Sequence, residues 1–475
     1  MISPLLTDLY QLTMAYGYWK LNLHEREAVF HQIFRKQPFK SHYSIACGLA
    51  IAAEFLENWH FAEDDLNYLA TLKAPDNGDL FTHDFLEYLK NLRLSVDIDA
   101  IPEGTVVFPH EPLLRIKGPL IQGQLLESTL LNIINFQTLI ATKAARVCQA
   151  AAGDPVLEFG LRRAQGPDGA LSASRAAYIG GCAATSNVLA GKKYGIPVSG
   201  THAHSWVTAF PDEMQAFSAY AKVMPHNCIL LVDTYDTLAG VRHAIEAGKK
   251  LRENGGELRG IRLDSGDMAM LSQKARQMLD AAGFTQTKII ASNSLDEYII
   301  KKIKENDGVI TVWGVGTHLT TAYDHPALDG VYKLSALKDE KDQWIYKLKL
   351  SEQIVKISNP GIHQVRRFMR EDQKIVDVIY DLKLGISDTP DCFPLDGAHA
   401  AIKLTDFDSS TDLLKPVFRR GKLIAQLPSI HDIRATAKNQ IEQFLQTSEP
   451  IIGLENNLYH LKQKMIADVS KKNNE

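Results

Sequence analysis

Along the chain, short apolar runs alternate with longer stretches whose apolar residues fall three and four apart. That alternation predicts most of the elements. The rhythm is regular through the middle of the sequence. Runs at Val156–Phe159, Ile196–Ser199, Ile229–Val232, Gly260–Leu263, Lys288–Ala291 and Val309–Trp313 read as strands, with another at Val331–Leu334. Helical spacing fills the intervals near Ser172–Tyr194, Asp212–Val223, Asp236–Asn254, Asp267–Ala282 and Leu295–Glu305. Repeated β-then-α units of this length build a parallel sheet covered by helices, and a long series of them favours a barrel over an open sheet.

The flanking text differs. Thr7 stands where it can cap a helix over Asp8–Trp19, with Leu9, Leu12 and Tyr16 on one face. Strand-like runs and turns occupy Leu94–Ile116, and a long helical pattern spans Gln122–Ala151. Beyond Lys338 short strands return at Trp344–Leu350 and Ile375–Tyr380. Helices follow at Ile430–Gln446 and Glu455–Val469, then a loose polar tail from Ser470 to Glu475. The expected fold is α/β. An irregular β/α barrel covers residues 121–340, and a second α+β domain is built from residues 1–120 and a C-terminal region, 341–475, that packs back on them.

A chain of 475 residues is too long for one core, which agrees with two or more domains. The 52 Lys plus Arg nearly balance the 56 Asp plus Glu. That excludes a whole-protein basic field for nucleic acid, so any anion site is local. The five cysteines are scattered and form no CxxC pair, which argues against a disulfide framework or a structural zinc and fits a reducing cytoplasm. Neither a signal peptide nor a run of about 18 apolar residues is read, so no membrane partner is expected.

Candidate chemistry gathers where strands pass into loops. In Arg262-Leu263-Asp264-Ser265-Gly266-Asp267, two carboxylates flank a Ser-Gly turn. They suit ribose hydroxyls or a Mg²⁺ riding on pyrophosphate, and equally the capping of the next helix. Arg262, a cation near a strand end, wants an anion. Gly314-Val315-Gly316-Thr317 offers bare backbone and a hydroxyl as a phosphate cradle. His202-Ala203-His204 reads as an acid–base or nucleophilic imidazole, as a packed core histidine, or as a metal pair in a barrel metallohydrolase. The forks of Arg162, Arg163 and Arg175 match phosphate oxygens, and Phe159 is placed either to stack on a flat ring or to join the core.

Together these motifs resemble the nicotinate phosphoribosyltransferase family. Leu6-Thr7-Asp8-Leu9-Tyr10-Gln11 looks like the family's opening. Glu158-Phe159-Gly160-x-Arg162-Arg163, Gly200-Thr201-x-Ala203-His204-Ser205, the Arg262–Asp267 run, Gly314-x-Gly316-Thr317, Val331-Tyr332-Lys333-Leu334 and Pro360-Gly361-x-x-Gln364-Val365-x-Arg367 follow in family order. The resemblance implies a cytoplasmic enzyme of NAD salvage. It would join nicotinate to phosphoribosyl pyrophosphate, with Mg²⁺ as cofactor and ATP as co-substrate consumed through a phosphohistidine. It implies His204 as the phosphorylated residue, and Thr201 and Arg262 on the nicotinate carboxylate. Phe159 would stack on one face of the pyridine, and Tyr10 would cover the other from the second subunit of a homodimer. Gly314, Gly316 and Thr317 would take the 5′-phosphate, and Asp264 and Asp267 would serve the ribose, pyrophosphate and metal. Arg162, Arg163, Ser265 and Gly266 complete the expected substrate-binding set. The nearest alternative is nicotinamide phosphoribosyltransferase. In those enzymes an Asp follows Gly-Thr, where this chain has His202. A silent nucleotide-binding homologue is a more distant reading. His363 stands where the family commonly has Lys, a change expected to weaken a phosphate contact at neutral pH.

Overall fold

A computed structural model describes residues 2–351, 357–370, 375–395, 400–447 and 449–472. The chain divides into two compact units, Leu139–Pro326 and a unit made of Met1–Thr138 with Ala327–Glu475.

The inner unit is a curled parallel sheet. Its strands are β1 (Val156–Glu158), β2 (Ala184–Thr185), β3 (Cys228–Leu231), β4 (Leu258–Leu263), β5 (Lys288–Ala291) and β6 (Val312–Val315). The spatial order β2-β1-β6-β5-β4-β3 leaves β2 and β3 as edges, and every pairing is parallel. The gap between those edges is spanned by residues 197–202. Thr185 donates its N–H to the Pro197 carbonyl at 3.0 Å and accepts the Ser199 N–H at 3.0 Å, and the Leu231 N–H reaches the His202 ring at 3.2 Å. The run expected as a strand at Ile196–Ser199 is therefore only a single parallel bridge, Thr185 to Val198. Pro197 has no N–H to give a ladder.

The helix expected over Ser172–Tyr194 is two helices, Pro167–Ile179 and Val188–Tyr194, with β2 between them. Gly180 and Gly181 break it. Gly181 has φ +119°, and a Cβ on Gly180 would run into the Ala141 carbonyl. Asp212, Asp236, Asp267 and Asp296 each accept a backbone N–H at the start of the following helix, which explains why those helices begin where they do.

The outer unit interleaves both chain ends in a seven-stranded sheet. In spatial order its strands are Trp344–Tyr346, Gly330–Lys338, Glu27–Phe34, Leu114–Pro119, Asp97–Ala100, Lys415–Arg419 and Lys422–Leu423. Gly330–Lys338 pairs antiparallel with Glu27–Phe34, and Tyr332 donates to the Gly123 carbonyl at 2.8 Å. Residues near 121–138 and 327–340 thus belong here rather than with the barrel, as the expected limits had them, and the division falls within the helix Glu127–Ala151. In the first helix, Leu9–Lys20, Leu12 is buried but Leu9 is exposed, and Asp8 rather than Thr7 takes the N-cap position. The last helix, Asn456–Lys472, includes Ser470, so the tail is helical up to the final three residues, which lie outside those described.

The Pro360–Arg367 element lies inside this unit. Arg367 donates twice to Asp377, from Nε to Oδ1 at 2.8 Å and from Nη2 to Oδ2 at 2.6 Å, and Nη2 also reaches the Val106 carbonyl at 2.9 Å. His363 is buried, stacks on His31 with ring centroids 4.2 Å apart, and donates from Nε2 to the Pro360 carbonyl at 2.9 Å. Burial pushes its pKa down to about 4, so at neutral pH it brings no charge to a phosphate. Its role here is packing.

Removing one partner of a buried ion pair strands the other. Arg367→Leu should cost about 3–5 kcal/mol, read as a lower urea midpoint at pH 7, because Asp377 is fully buried. An unchanged midpoint would refute that account of the element.

Candidate active site

The carboxyl ends of the parallel strands open on one cavity of about 440 Å³. In a β/α barrel that end is where several strands deliver side chains to a common mouth.

At the end of β1, Glu158 is buried and fully engaged. Its carboxylate accepts Ser174 Oγ at 2.9 Å, Thr185 Oγ1 at 2.6 Å and the Gly160 N–H. It fixes the turn that presents Phe159. Phe159 adds one more bond to β6, from its N–H to the Val315 carbonyl at 2.8 Å. Its ring then lies over Gly314, where a Cβ would stand 2.7 Å from two ring carbons; a Cβ on Gly316 would stand 3.1 Å from the Phe159 carbonyl. The Gly-x-Gly at the end of β6 is thus first a seat for Phe159. Gly314 is buried, whereas Gly316 and Thr317 are partly open where a short helical turn begins.

Arg262, on β4, is held by the irregular segment. Nη1 donates to Thr201 Oγ1 at 2.8 Å and Nη2 to the His202 carbonyl at 3.1 Å. Its Nε–H is buried without a partner, so the guanidinium retains capacity for an acceptor. Burial lowers its pKa, and the carboxylates of Asp264 and Asp233 partly oppose that.

The two histidines differ in kind. His202 is 8% exposed, its Nε2 accepts the Leu231 N–H at 3.2 Å, and its Nδ1–H faces the Ala203 carbonyl at 3.2 Å. Its ring nitrogens are committed to backbone, so it is a core histidine rather than half of a chelating pair. His204 opens the helix His204–Thr208 with its side chain 45% exposed. Its Nδ1 meets Thr234 Oγ1 at 3.1 Å, and its Nε2 faces Asp264 Oδ2 at 3.9 Å.

Asp264 lines the cavity and accepts a hydrogen bond from Ser292 Oγ. Its N–H and the Ser265 hydroxyl both donate to Asp233 Oδ2, at 2.9 and 2.6 Å, while Asp233 Oδ1 is buried without a partner. Asp267 gives one oxygen to the Met270 N–H at the helix start and does not line the cavity, nor do Ser265 and Gly266. Of the expected residues, Phe159, Arg162, Arg163, Thr201, His204 and Arg262 come together there, with Asp264, Gly314, Gly316 and Thr317. Arg175 is buried in its helix. Tyr10 lies in the other unit, half exposed on the first helix.

Sequence reasoning gave no binding role to Ser186 or to the run Ser292-Asn293-Ser294, all of which line the cavity. Asn293 and Ser294 are consecutive non-glycine residues in the left-handed region, at φ 86° and 47°, a costly backbone that often marks a ligand-facing turn. Three small polar residues directly after the apolar run Lys288–Ala291 were the available signal. The outer unit has its own hollow of about 520 Å³ beside Arg367 and Phe444, but none of the strand-end motif residues lines it. Among the described residues no helix is long and apolar enough to cross a membrane, and no group of three or more His, Cys, Asp or Glu is arranged to hold a metal ion.

The fold and site define a β/α-barrel protein whose mouth combines anion-binding groups with an aromatic face. Comparison makes the assignment particular. The chain matches the models of the nicotinate phosphoribosyltransferase N-terminal domain over residues 5–135, the nicotinate phosphoribosyltransferase family over 155–367 and its C-terminal domain over 362–451. It is 42% identical to the nicotinate phosphoribosyltransferase of Bacillus subtilis, covering 94% of this chain and 90% of that one. With the human nicotinate phosphoribosyltransferase it shares 33%, over 92% of this chain and 90% of that one. The crystal structure of human nicotinic acid phosphoribosyltransferase superposes with a TM-score of 0.82 at 30% identity, over 96% of this chain and 99% of that one. The chain belongs to the nicotinate phosphoribosyltransferase family.

The state of His202 makes a pH prediction. Burial holds its pKa at about 4, below the value of about 6.5 in an unfolded chain. The fold therefore favours the neutral ring. That contribution is complete above about pH 6.5 and is lost as pH falls towards 4, with a slope of up to about 1.4 kcal/mol per pH unit. Urea unfolding at pH 7 and pH 5 should show a smaller acid loss for His202→Gln than for the native chain. Equal losses would contradict the assignment.

Proposed function

We propose that this protein joins nicotinate to C1 of phosphoribosyl pyrophosphate, giving nicotinate mononucleotide and pyrophosphate, and that ATP hydrolysis is coupled to this reaction through phosphorylation of His204. The observation that carries the reading is the convergence of Arg262, Thr201, Phe159, His204 and Asp264 on one cavity in a chain of this family.

Each group has a task. Arg262, oriented by Thr201 and the His202 carbonyl, meets the nicotinate carboxylate as a charge-assisted fork. Phe159 on its Gly314 seat stacks on the pyridine and aims the ring nitrogen at C1. Gly316 and Thr317 take the 5′-phosphate, and Arg162 and Arg163, both exposed at the mouth, serve the pyrophosphate. The reaction proceeds by loss of pyrophosphate from C1 and attack by the ring nitrogen, so the arginines act on charge that develops as the leaving group departs. Mg²⁺ typically uses one or two protein carboxylates and takes its remaining ligands from phosphate and water. Asp264 fits that pattern, with Asp267 able to add only the oxygen not given to its helix. A bound Mg²⁺ would neutralise pyrophosphate.

His204 suits a phosphoryl acceptor. Thr234 fixes Nδ1, which leaves Nε2 directed at the exposed side near Asp264. A phosphoryl group there adds negative charge beside Asp264 and changes how tightly pyrophosphate is held. Tyr10 shares the first helix and its approach with exposed Leu6, Leu9 and Met14, an apolar face that a second subunit would cover. That supports a homodimer in which Tyr10 reaches the neighbouring site.

Three measurements check this reading. Pyrophosphate release with Mg²⁺ and phosphoribosyl pyrophosphate should proceed with nicotinate, rise with ATP, and fall away with nicotinamide. His204→Ala should keep basal turnover but lose the ATP stimulation; a stimulated variant would refute the phosphohistidine. Gly314→Ala forces Phe159 off its seat and should raise KM for nicotinate by roughly tenfold, the order of one lost stacking contact, while KM for phosphoribosyl pyrophosphate changes little. Equal rises in both constants would assign Gly314 to the phosphate instead.

A further inference from the structure

The side chain of His202 does what a strand's backbone usually does. Residues 197–202 take a strand's place between β2 and β3, bound to β2 through Pro197 and Ser199. On the other side the Leu231 N–H points away from β4, while the next residue, Val232, donates to the Arg262 carbonyl at 3.2 Å. Leu231 is fully buried, so its N–H needs a partner inside the protein, and that partner is His202 Nε2 at 3.2 Å. The ring is packed edge-on against Tyr220, with centroids 4.7 Å apart.

The backbone of the same residue faces the site. The His202 carbonyl accepts Arg262 Nη2 at 3.1 Å and the Thr201 hydroxyl at 3.1 Å, and Thr201 Oγ1 accepts Arg262 Nη1 at 2.8 Å. We propose that His202 is a positioning residue: by anchoring the irregular segment to β3 through Nε2, it sets the Thr201 hydroxyl and its own carbonyl, and thereby the orientation of the Arg262 fork that receives the substrate carboxylate. This rests on the reading of Arg262 given above. It assigns the residue after Gly-Thr to specificity through backbone placement rather than contact with the ring.

The test separates acceptor chemistry from bulk. His202→Phe keeps a ring against Tyr220 and removes the acceptor. His202→Gln returns an amide oxygen near the position of Nε2, and His202→Asn places it too short, near Nδ1. In His202→Phe the Leu231 amide should exchange with deuterium faster, and KM for nicotinate should rise about tenfold, the size of one displaced hydrogen bond. KM for phosphoribosyl pyrophosphate should stay within about twofold, as expected when uniform binding of one substrate is lost. His202→Gln should recover most of the nicotinate KM, and His202→Asn should not. If His202→Phe does not fold, the Gln and Asn pair still decides the matter. An unchanged nicotinate KM, equal rises for both substrates, or Gln and Asn behaving alike would overturn the proposal. A native protein that turns over phosphoribosyl pyrophosphate with nicotinamide but not nicotinate would sink the reading of Arg262 and this inference with it. In that case Leu231 exchange would still report whether the anchor exists.

Discussion

The site depends on one constraint: a curled parallel sheet must satisfy its edges or lose its shape. Six strands pair in parallel, but between β2 and β3 there is no strand. Backbone bonds to Thr185 on one side and an imidazole on the other fill that place. An unpaired buried N–H costs about as much as a hydrogen bond gains, so the irregular segment is tightly bound at both margins. Being irregular, it can turn a hydroxyl and a carbonyl inward to grip Arg262. A regular strand would have spent that carbonyl on a ladder.

Glu158 plays a matching part at the end of β1. A buried carboxylate is tolerated when it accepts several donors, and Glu158 takes them from a serine, a threonine and a backbone amide. Those donors come from the turn after β1, from the helix Pro167–Ile179 and from β2, so one side chain sets the relation of three elements. Phe159 follows directly and is pressed onto the glycine of β6. The aromatic face and the cationic fork are thereby fixed by buried networks that meet at Thr185, whose hydroxyl donates to Glu158 and whose backbone holds the irregular segment. Groups fixed in this way are set in place before any ligand arrives.

Much of this was legible in the chain, and the reasons differ by element. The strands β3 and β5 carry short apolar runs, Cys228–Leu231 and Ile289–Ala291, that are largely buried, the plainest signal a parallel sheet gives. The helix starts at Asp212, Asp236 and Asp267 were readable because a capping aspartate acts locally. Where sequence reading went astray, tertiary contacts decided the outcome. Val331–Leu334 looks like one more barrel strand, yet it pairs with Glu27–Phe34, some 300 residues earlier in sequence, which no local pattern encodes. Asp267 looks as catalytic as Asp264 in the text, but only one of them has its carboxylate facing the cavity; the other meets the end of its own helix. Ser292-Asn293-Ser294 was given no binding role because small polar residues after a strand usually mean a turn. What sets them apart is a left-handed backbone, which the residue types permit but do not announce.

The two histidines of His202-Ala203-His204 show how a spacing can mislead in one direction and inform in another. Two residues apart at a strand end, they suggest a shared metal. The segment is extended there, so alternate side chains would share a face if it were a regular strand. It is not regular: Ala203 ends the extended stretch and His204 begins a helix, which turns the second ring towards the cavity while the first stays in the packed layer with Tyr220. One imidazole is thereby desolvated and neutral, with both nitrogens occupied by backbone. The other is half exposed, with one nitrogen fixed by Thr234 and the other turned towards Asp264. The same side chain can serve opposite ends because its chemistry follows from what its two nitrogens meet. In this chain that is decided by whether the backbone beneath each ring is still acting as a strand.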